Sequence, residues 1–440
     1  MTSGGARVIR SVLAALAVML ATPAAAETVL YRGATLIDGT GGRPRPGMSV
    51  LVEGERIRAV LPADRLPPPA GARVVDLTGK YLLPGLIDSH EHLATPPNRR
   101  RAEAILRRDL FGGVTAVRDM ADDLRAVADL SRASLKGEIP APDIHYAALF
   151  AGRSFFDDPR TAATTYGFRP GETPWMQAID ERTDLRQAVT LARGTSATAI
   201  KIYANLDARL VRRLAAEARR QGLKVWVHTA VYPATPAEVA KARPDVMSHA
   251  CSLAHQTAGT PASYQSRTPI AASRFLASDD PGVGRVLALM KPREIILDAT
   301  TSIYHQPRPR PGLCSGELSD ALVRQAWQAG VQISAGTDWV APAADPWPTL
   351  HHELAALVKL GMPPSEVIRA ATFNGARAAG RLSDMGSIAP GKLANLIVTD
   401  RDPTADIENL KTLELTVKRG REHRRADFVP LSEADLEEAS

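Results

Sequence analysis

Short apolar runs alternate with amphipathic stretches along most of this 440-residue chain. From residue 84 the runs fall at 84–88, 114–119, 143–149, 198–203, 224–228, 245–249, 294–299 and 331–336. Their shortness and their Val, Ile and Ala content predict buried β-strands. The stretches between them have helical spacing. In one, Leu206, Leu210, Leu214 and Ala218 share a face, and Gly222 marks the stop. Strands alternating with helices over residues 84–383 predict an α/β fold, a closed (β/α)8 barrel of the TIM type, which takes about 250 residues or more. An open doubly wound sheet is the competing architecture, but no Gly-x-Gly-x-x-Gly follows the first strand.

The two ends read differently. Residues 28–80 hold short β segments divided by turns such as "GTGGRPRPG" and "LPPPAG". After residue 384, "GSIAPGKLANLIVTD" and "LTVKRGRE" return to the same texture. Residues 27–83 and 384–440 are therefore expected to form one composite β-sandwich domain beside the barrel. Residues 1–26 have Arg7 and Arg10, the apolar run "SVLAALAVMLA", and Ala24-Ala25-Ala26, the order of a secretory signal peptide cut after Ala26. The apolar run is too short for a stable membrane span. The mature protein is thus expected to be periplasmic or secreted, with no membrane contact after cleavage.

Composition removes some function classes. The formal charge of +6 is spread along the chain. The dense basic groups "NRRRAEAILRR" and "RLVRRLAAEARR" read as solvated helix faces without interleaved aromatics, so no nucleic-acid partner is expected. The expected partner is a small-molecule substrate; a homo-oligomer is compatible with the sequence but not specified by it.

Candidate chemistry lies at the strand ends. In a (β/α)8 barrel the active site gathers at the C-terminal ends of the strands. The first strand breaks off into His90 and His92, which share a side because strand side chains repeat every two residues. The fourth carries Lys201 in an apolar run, the fifth ends at His228, the sixth at His249, and Asp338 follows the eighth. Each alone has a bland reading as a satisfied polar residue or a snorkelling lysine. Together, at ends that converge in space, they point to a metal centre.

These segments resemble a known family. "PGLIDSHEHL", "GVTAVRD", "AIKIYA", "VWVHT", "VMSHA", "SAGTD" and "AATFNGARAAGRLSDMGSIAPGKLANLIV" look like the metal-dependent amidohydrolase superfamily, closest to its branch of imidazolonepropionase and the Xaa-Pro, Xaa-Arg and Xaa-Lys dipeptidases. The resemblance implies two divalent metals, with zinc suited to the donors. His90, His92 and Asp338 would hold one, His228 and His249 the other, and an N-carboxylated Lys201 would bridge them. It implies hydrolysis of an amide bond, in a dipeptide or N-acyl amino acid, with Asp338 as catalytic proton shuttle. An ester, lactone or phosphotriester at the same centre is the alternative, and a non-catalytic periplasmic binding protein the remote one. Three departures from the pattern are visible. Lys201 argues against imidazolonepropionase itself, Asn395 replaces an acidic residue near the C-terminus, and the loop after the third strand lacks a Gly-Gly-His.

Three long loops, 150–177, 250–285 and 300–317, would cover the open face. Phe155, Phe156, Tyr166, Phe168, Trp175 and Tyr304 lie in them among arginines. They suit either a substrate with an apolar part and a carboxylate, or packing of the loops on themselves. His145, Tyr203 and Tyr304 are the candidate substrate contacts. "HHELAALV" lacks the second histidine of a His-Glu-x-x-His zinc helix and reads as the start of the last barrel helix. Cys251 and Cys314 are the only cysteines; they either join two neighbouring loops as a disulfide or remain two buried thiols.

Overall fold

A computed structural model describes residues 27–306 and 314–437; the expected signal peptide lies outside the described residues. The strands in chain order are β1 (Thr28–Leu36), β2 (Arg45–Glu53), β3 (Arg56–Pro62), β4 (Arg73–Asp76), β5 (Tyr81–Pro84), β6 (Leu86–Glu91), β7 (Val114–Asp119) and β8 (Asp143–Gly152). There follow β9 (Glu172–Thr173), β10 (Met176–Ile179), β11 (Ala199–Ile202), β12 (Lys224–His228), β13 (Val246–Ser248), β14 (Ile296–Asp298), β15 (Ile333–Ser334), β16 (Leu396–Thr399), β17 (Leu413–Lys418) and β18 (Arg421–Arg424).

Parallel pairing runs β6-β7-β8-β11-β12-β13-β14-β15, which is the order of the eight expected strands. Backbone hydrogen bonds from Ser89 N to Ala335 O and from Asp338 N to His90 O, both 2.8 Å, join the last strand to the first and close the ring. β9 and β10 are an addition that apolar patterning did not single out; β10 pairs beside the outer part of β8.

The helices outside the ring follow from capping and periodicity. Asp123, Asp184, Asp207 and Asp280 each accept first-turn N–H groups at the start of a barrel helix. In the helix Ala208–Arg220 the residues Leu210, Leu214 and Ala218 are buried, as the spacing predicts, and Gly222 follows with φ +78°. Among the described residues no helix is long and apolar enough to cross a membrane.

β1–β5 and β16–β18 form one mixed eight-stranded sheet, ordered β18-β17-β16-β5-β1-β2-β3 with β4 beside β1. Both ends of the chain share its apolar cluster, for example Val29, Tyr31 and Val50 with Leu396 and Val417. Asn395 precedes β16 here, and its Oδ1 accepts the Arg419 N–H at 2.8 Å.

A buried ion cluster ties this sheet to the barrel. Asp143, at the start of β8, receives Lys418 Nζ at 3.1 Å and Arg419 Nε at 3.0 Å. Burial alone would raise the Asp143 carboxyl, but the two cations outweigh it and hold the pKa below its ordinary value. A depressed carboxylate contributes stability above its unfolded pKa and loses it as pH falls through the folded one. Asp143→Asn leaves two cations without their counter-ion. It is expected to lower the unfolding free energy by about 3 kcal/mol at neutral pH, with the difference vanishing in acid. Urea unfolding of the full chain measures this, and a loss under about 1 kcal/mol would mean that water replaces the carboxylate.

Candidate functional site

The barrel seam assembles the first part of the site. Asp88, 2% exposed, accepts the backbone N–H of His90 at 2.9 Å and of Thr337 at 3.1 Å, clipping the end of β6 to the loop after β15. Gly336 permits the approach, because a Cβ there would stand 2.3 Å from Asp298 Oδ1 and 2.7 Å from His90 Cβ. Asp338 Oδ1 consequently lies 3.7 Å from His90 Nε2 and 3.5 Å from His92 Nε2. One ligand atom from each of His90, His92 and Asp338 falls within 4.8 Å of the others.

The remaining strand ends converge on the same point. His249 Nδ1 is 3.7 Å from Asp338 Oδ2, and the His249 ring is 4.8 Å from that of His90 and 4.7 Å from that of His228. His249 (φ +71°) and Asp338 (φ +61°) both have left-handed backbones, a strained conformation for side chains other than glycine and one that gathers at functional sites. Lys201 on β11 is fully buried, with Nζ 3.3 Å from Ser248 Oγ. Ser248 in turn donates to Asp298 Oδ2 at 2.9 Å.

Partners behind the histidines set their orientation. His90 Nδ1 contacts Asp298 Oδ2 at 2.7 Å and His92 Nδ1 contacts Asp122 Oδ1 at 2.7 Å, so both Nε2 atoms face Asp338. His249 Nδ1 is 2.9 Å from Thr300 Oγ1. Burial and the Lys201 cation push His90 and His228 well below the usual histidine range; burial, then neighbouring His90 and Lys201, do so for His249. His92 differs. Burial would lower it, but the Asp122 carboxylate raises it above the ordinary value. Burial brings Lys201 down to about 7.

A cavity of about 660 Å³ opens over this cluster and is lined by His90, His92, His228, His249 and Asp338. Tyr203 and Tyr304 line it too, with the Tyr203 ring 3.9 Å from His228. His145 is not brought there. It lies near the start of β8, beside Asp143 and Arg419, while the C-terminal end of that strand is Gly152. Strand polarity puts it at the opposite end of the barrel from the site. The loop aromatics divide between the two expected roles. Phe155 lines the cavity, whereas Phe168 packs edge-on against Trp175 and Tyr166 is exposed. "HHELAALV" begins with the second residue of the helix Leu350–Lys359. There Glu353 accepts the N–H groups of Thr301 and Ser302 at 3.1 and 2.7 Å, fixing the loop that carries Tyr304. Cys251 and Cys314 form a disulfide with Cα atoms 6.2 Å apart.

Sequence reasoning passed over Asp122, Asp298, Thr300, Tyr232, Tyr264, Arg160 and Arg267. Asp298 had a usable signal, since it ends β14 as His228 ends β12. Asp122 stands in the acidic run "DMADD", where nothing in the pattern separates it from Asp119 and Asp123.

The amidohydrolase family model matches residues 307–422. The chain is similar to the 5'-deoxyadenosine deaminase of Methanothermobacter thermautotrophicus, with 26% identity over 393 residues and 84% of each chain covered. A Xaa-Pro dipeptidase crystallised with methionine in its active site has a similar fold, at TM-score 0.70 and 20% identity over 90% of this chain and 100% of the other. Molinate hydrolase does as well, at TM-score 0.70 and 23% identity over 92% and 97%.

Gly336 is the tightest point of the site. Gly336→Ala is expected to leave the circular dichroism spectrum unchanged while weakening divalent-metal binding by about tenfold or more, because Asp298 and His90 must part. Metal titration with a chelating dye measures the change. Wild-type affinity would show that the seam yields without moving the ring.

Proposed function

We propose that the chain is a metal-dependent amidohydrolase that hydrolyses a C–N bond, and that its substrate is a dipeptide or an N-acyl amino acid cleaved at a binuclear centre. The convergence of His90, His92 and Asp338, with buried Lys201 behind them, is the observation that carries this reading.

The donor set fits the group the family implies. His90, His228 and His249, all lowered in pKa, are neutral ligands at pH 7, while His92 is raised by Asp122, which also orients its Nε2; imidazole with carboxylate suits zinc among first-row cations. His90, His92 and Asp338 would hold one cation and His228 and His249 the second. Lys201 supports a bridging role because its amine, brought down to about 7 by burial, is partly unprotonated at neutral pH. An unprotonated amine adds to carbon dioxide, forming an N–C bond and releasing one proton, and the resulting carbamate offers two anionic oxygens. Bound metals would supply an acidified water and a Lewis acid for the scissile carbonyl.

The chain's own residues supply the rest. Asp338, 3.7 Å from His90 Nε2 and 3.5 Å from His92 Nε2, would take a proton from the attacking water and return it to the leaving nitrogen, a step an amide needs because an unprotonated amine leaves poorly. The Tyr203 and Tyr304 hydroxyls are pushed up in pKa, chiefly by burial, and so stay protonated; Tyr203 pairs with Tyr264, and both hydroxyls line the cavity where a substrate oxygen would lie.

A secreted or periplasmic location is part of the same proposal. The Cys251–Cys314 disulfide and the leader-like residues 1–26 support it, since structural disulfides persist in oxidising compartments. Thiol titration of the unreduced, denatured mature protein is expected to find almost no free thiol. Two thiols per chain would remove this support.

Profiling the zinc-loaded mature chain against dipeptides, N-acyl amino acids, lactones and aryl esters tests the substrate class. Turnover confined to the esters or lactones would overturn it. Lys201→Ala is expected to lose about one metal per chain and at least about a hundredfold in kcat/KM. Unchanged metal loading would refute the bridging role.

A further inference from the structure

Two arginines enter the cavity from different loops, and one of them is already neutralised. Arg160 is gripped by Asp158, Nε to Oδ1 at 3.0 Å and Nη2 to Oδ2 at 2.8 Å, and its Nη2 also reaches Tyr264 Oη at 3.1 Å. Arg267 has no carboxylate within ion-pair distance among the described residues. Its Nε donates to the Tyr264 carbonyl at 2.6 Å. The guanidinium carbon lies 3.2 Å from the Tyr264 ring centroid and 5.9 Å from that of Tyr232. Stacking of this kind fixes the plane of a guanidinium, a hydrogen bond to the Tyr232 hydroxyl holds it further, and the remaining N–H groups are available to a ligand.

The position of Arg267 relative to the chemistry is set by a ladder of rings. His228 is 3.9 Å from Tyr203, Tyr203 is 5.7 Å from Tyr264, and Tyr264 carries Arg267. The loop itself is anchored to the barrel. Asn205, four residues after Lys201, accepts the Tyr264 N–H at 2.7 Å and donates to Gln265 Oε1 at 2.9 Å. The third cavity arginine, Arg101, sits on the helix after β6, on the side of the cavity that carries Glu91 and Asp109, away from the Tyr203–Tyr264 ladder. Arg267 is therefore the guanidinium that stands at the end of the ring ladder from His228, fixed by Tyr264 and without a carboxylate in ion-pair contact among the described residues.

We propose that Arg267 is a specificity-determining residue that binds a carboxylate of the substrate, the one borne by the leaving amino-acid portion of the cleaved amide. This rests on the amide-hydrolase reading and deepens it. With the scissile carbonyl over the histidine cluster, the α-carboxylate of the leaving group extends outward past Tyr203. There a planar guanidinium meets a planar carboxylate through two parallel N–H···O bonds. A volume of about 660 Å³ accommodates a ligand of dipeptide size.

Isothermal titration of the metal-loaded full mature chain with 3-phenylpropanoate and with 3-phenylpropan-1-ol tests the site without turnover. The acid is expected to bind about tenfold or more tighter than the alcohol. That gap should fall below about twofold in Arg267→Gln and be intermediate in Arg267→Lys, which keeps the charge but not the fork. Melting temperatures close to wild type would show that the variants are folded. Equal or absent binding of the two probes, or a gap that survives in Arg267→Gln, overturns the proposal. Kinetics on N-acetyl-L-phenylalanine and its carboxamide separate it from the reading beneath it. Arg267→Gln should raise KM for the acid about tenfold with kcat little changed. A carboxylate preference in binding with no amide hydrolysed would leave the anion site standing and remove the amide reading. Equal hydrolysis of acid and carboxamide, indifferent to Arg267→Gln, would do the reverse.

Discussion

Everything at the site depends on the seam where the barrel closes. Asp88 and Thr337 are 249 residues apart in the chain, yet one carboxylate oxygen holds the N–H of Thr337 and of His90 together. Two backbone hydrogen bonds flank that clip. Without them Asp338 has no fixed relation to His90 and His92, because β15 is only two residues long. Gly336 completes the constraint by letting the two backbones meet where any side chain would collide with Asp298 or His90. Closure of the fold and assembly of the ligand cluster are therefore one event.

The interior behind that seam is unusually polar for a barrel core. Asp298, Lys201, Ser248 and Arg118 are all fully buried. Lys201 reaches Asp298 through Ser248, and Arg118 has its guanidinium carbon over Trp226, 4.0 Å from the ring centroid. Such groups are costly to desolvate unless each is paired or has its charge reduced. Both occur. Burial brings Lys201 down to about 7 and raises Asp298, while Arg118, lowered to about 10, keeps its charge and finds it a partner in the Trp226 ring. The result is a set of dipoles held in place before any ligand arrives, in a medium where their interaction is strong.

How much of this was legible in the sequence depended on whether a residue's position follows from local periodicity. His90, His92, His228 and His249 end apolar runs, and strand polarity alone brings such residues to one rim. The terminal β segments were legible as one unit for a related reason: their turns and alternation matched, and apolar faces of that size must find each other. His145 fails by the same rule, being near the start of its strand. Asp122 and Arg267 were not legible, since each acts through a loop whose path is set by tertiary contacts. In one case it is a single carboxylate chosen from an acidic run. In the other it is a loop held by Asn205 and, at its base, by the disulfide from Cys251.

The loops over the cavity are anchored to the barrel and to each other at three points. Glu353 takes two loop N–H groups, Asn205 anchors a second loop, and Cys251–Cys314 joins the segment after His249 to the segment after Tyr304. Burial raises the Glu353 carboxyl to about 7, yet those N–H groups favour its charged form and pull the other way, so its role is to fix the loop. A rim fixed at three points loses little conformational entropy when a ligand enters, so the interaction energy of the tyrosines and arginines goes to binding and orientation. Selectivity then falls to the few groups that face inward with their charge unspent, and the ring ladder from His228 to Tyr264 leads to one of them.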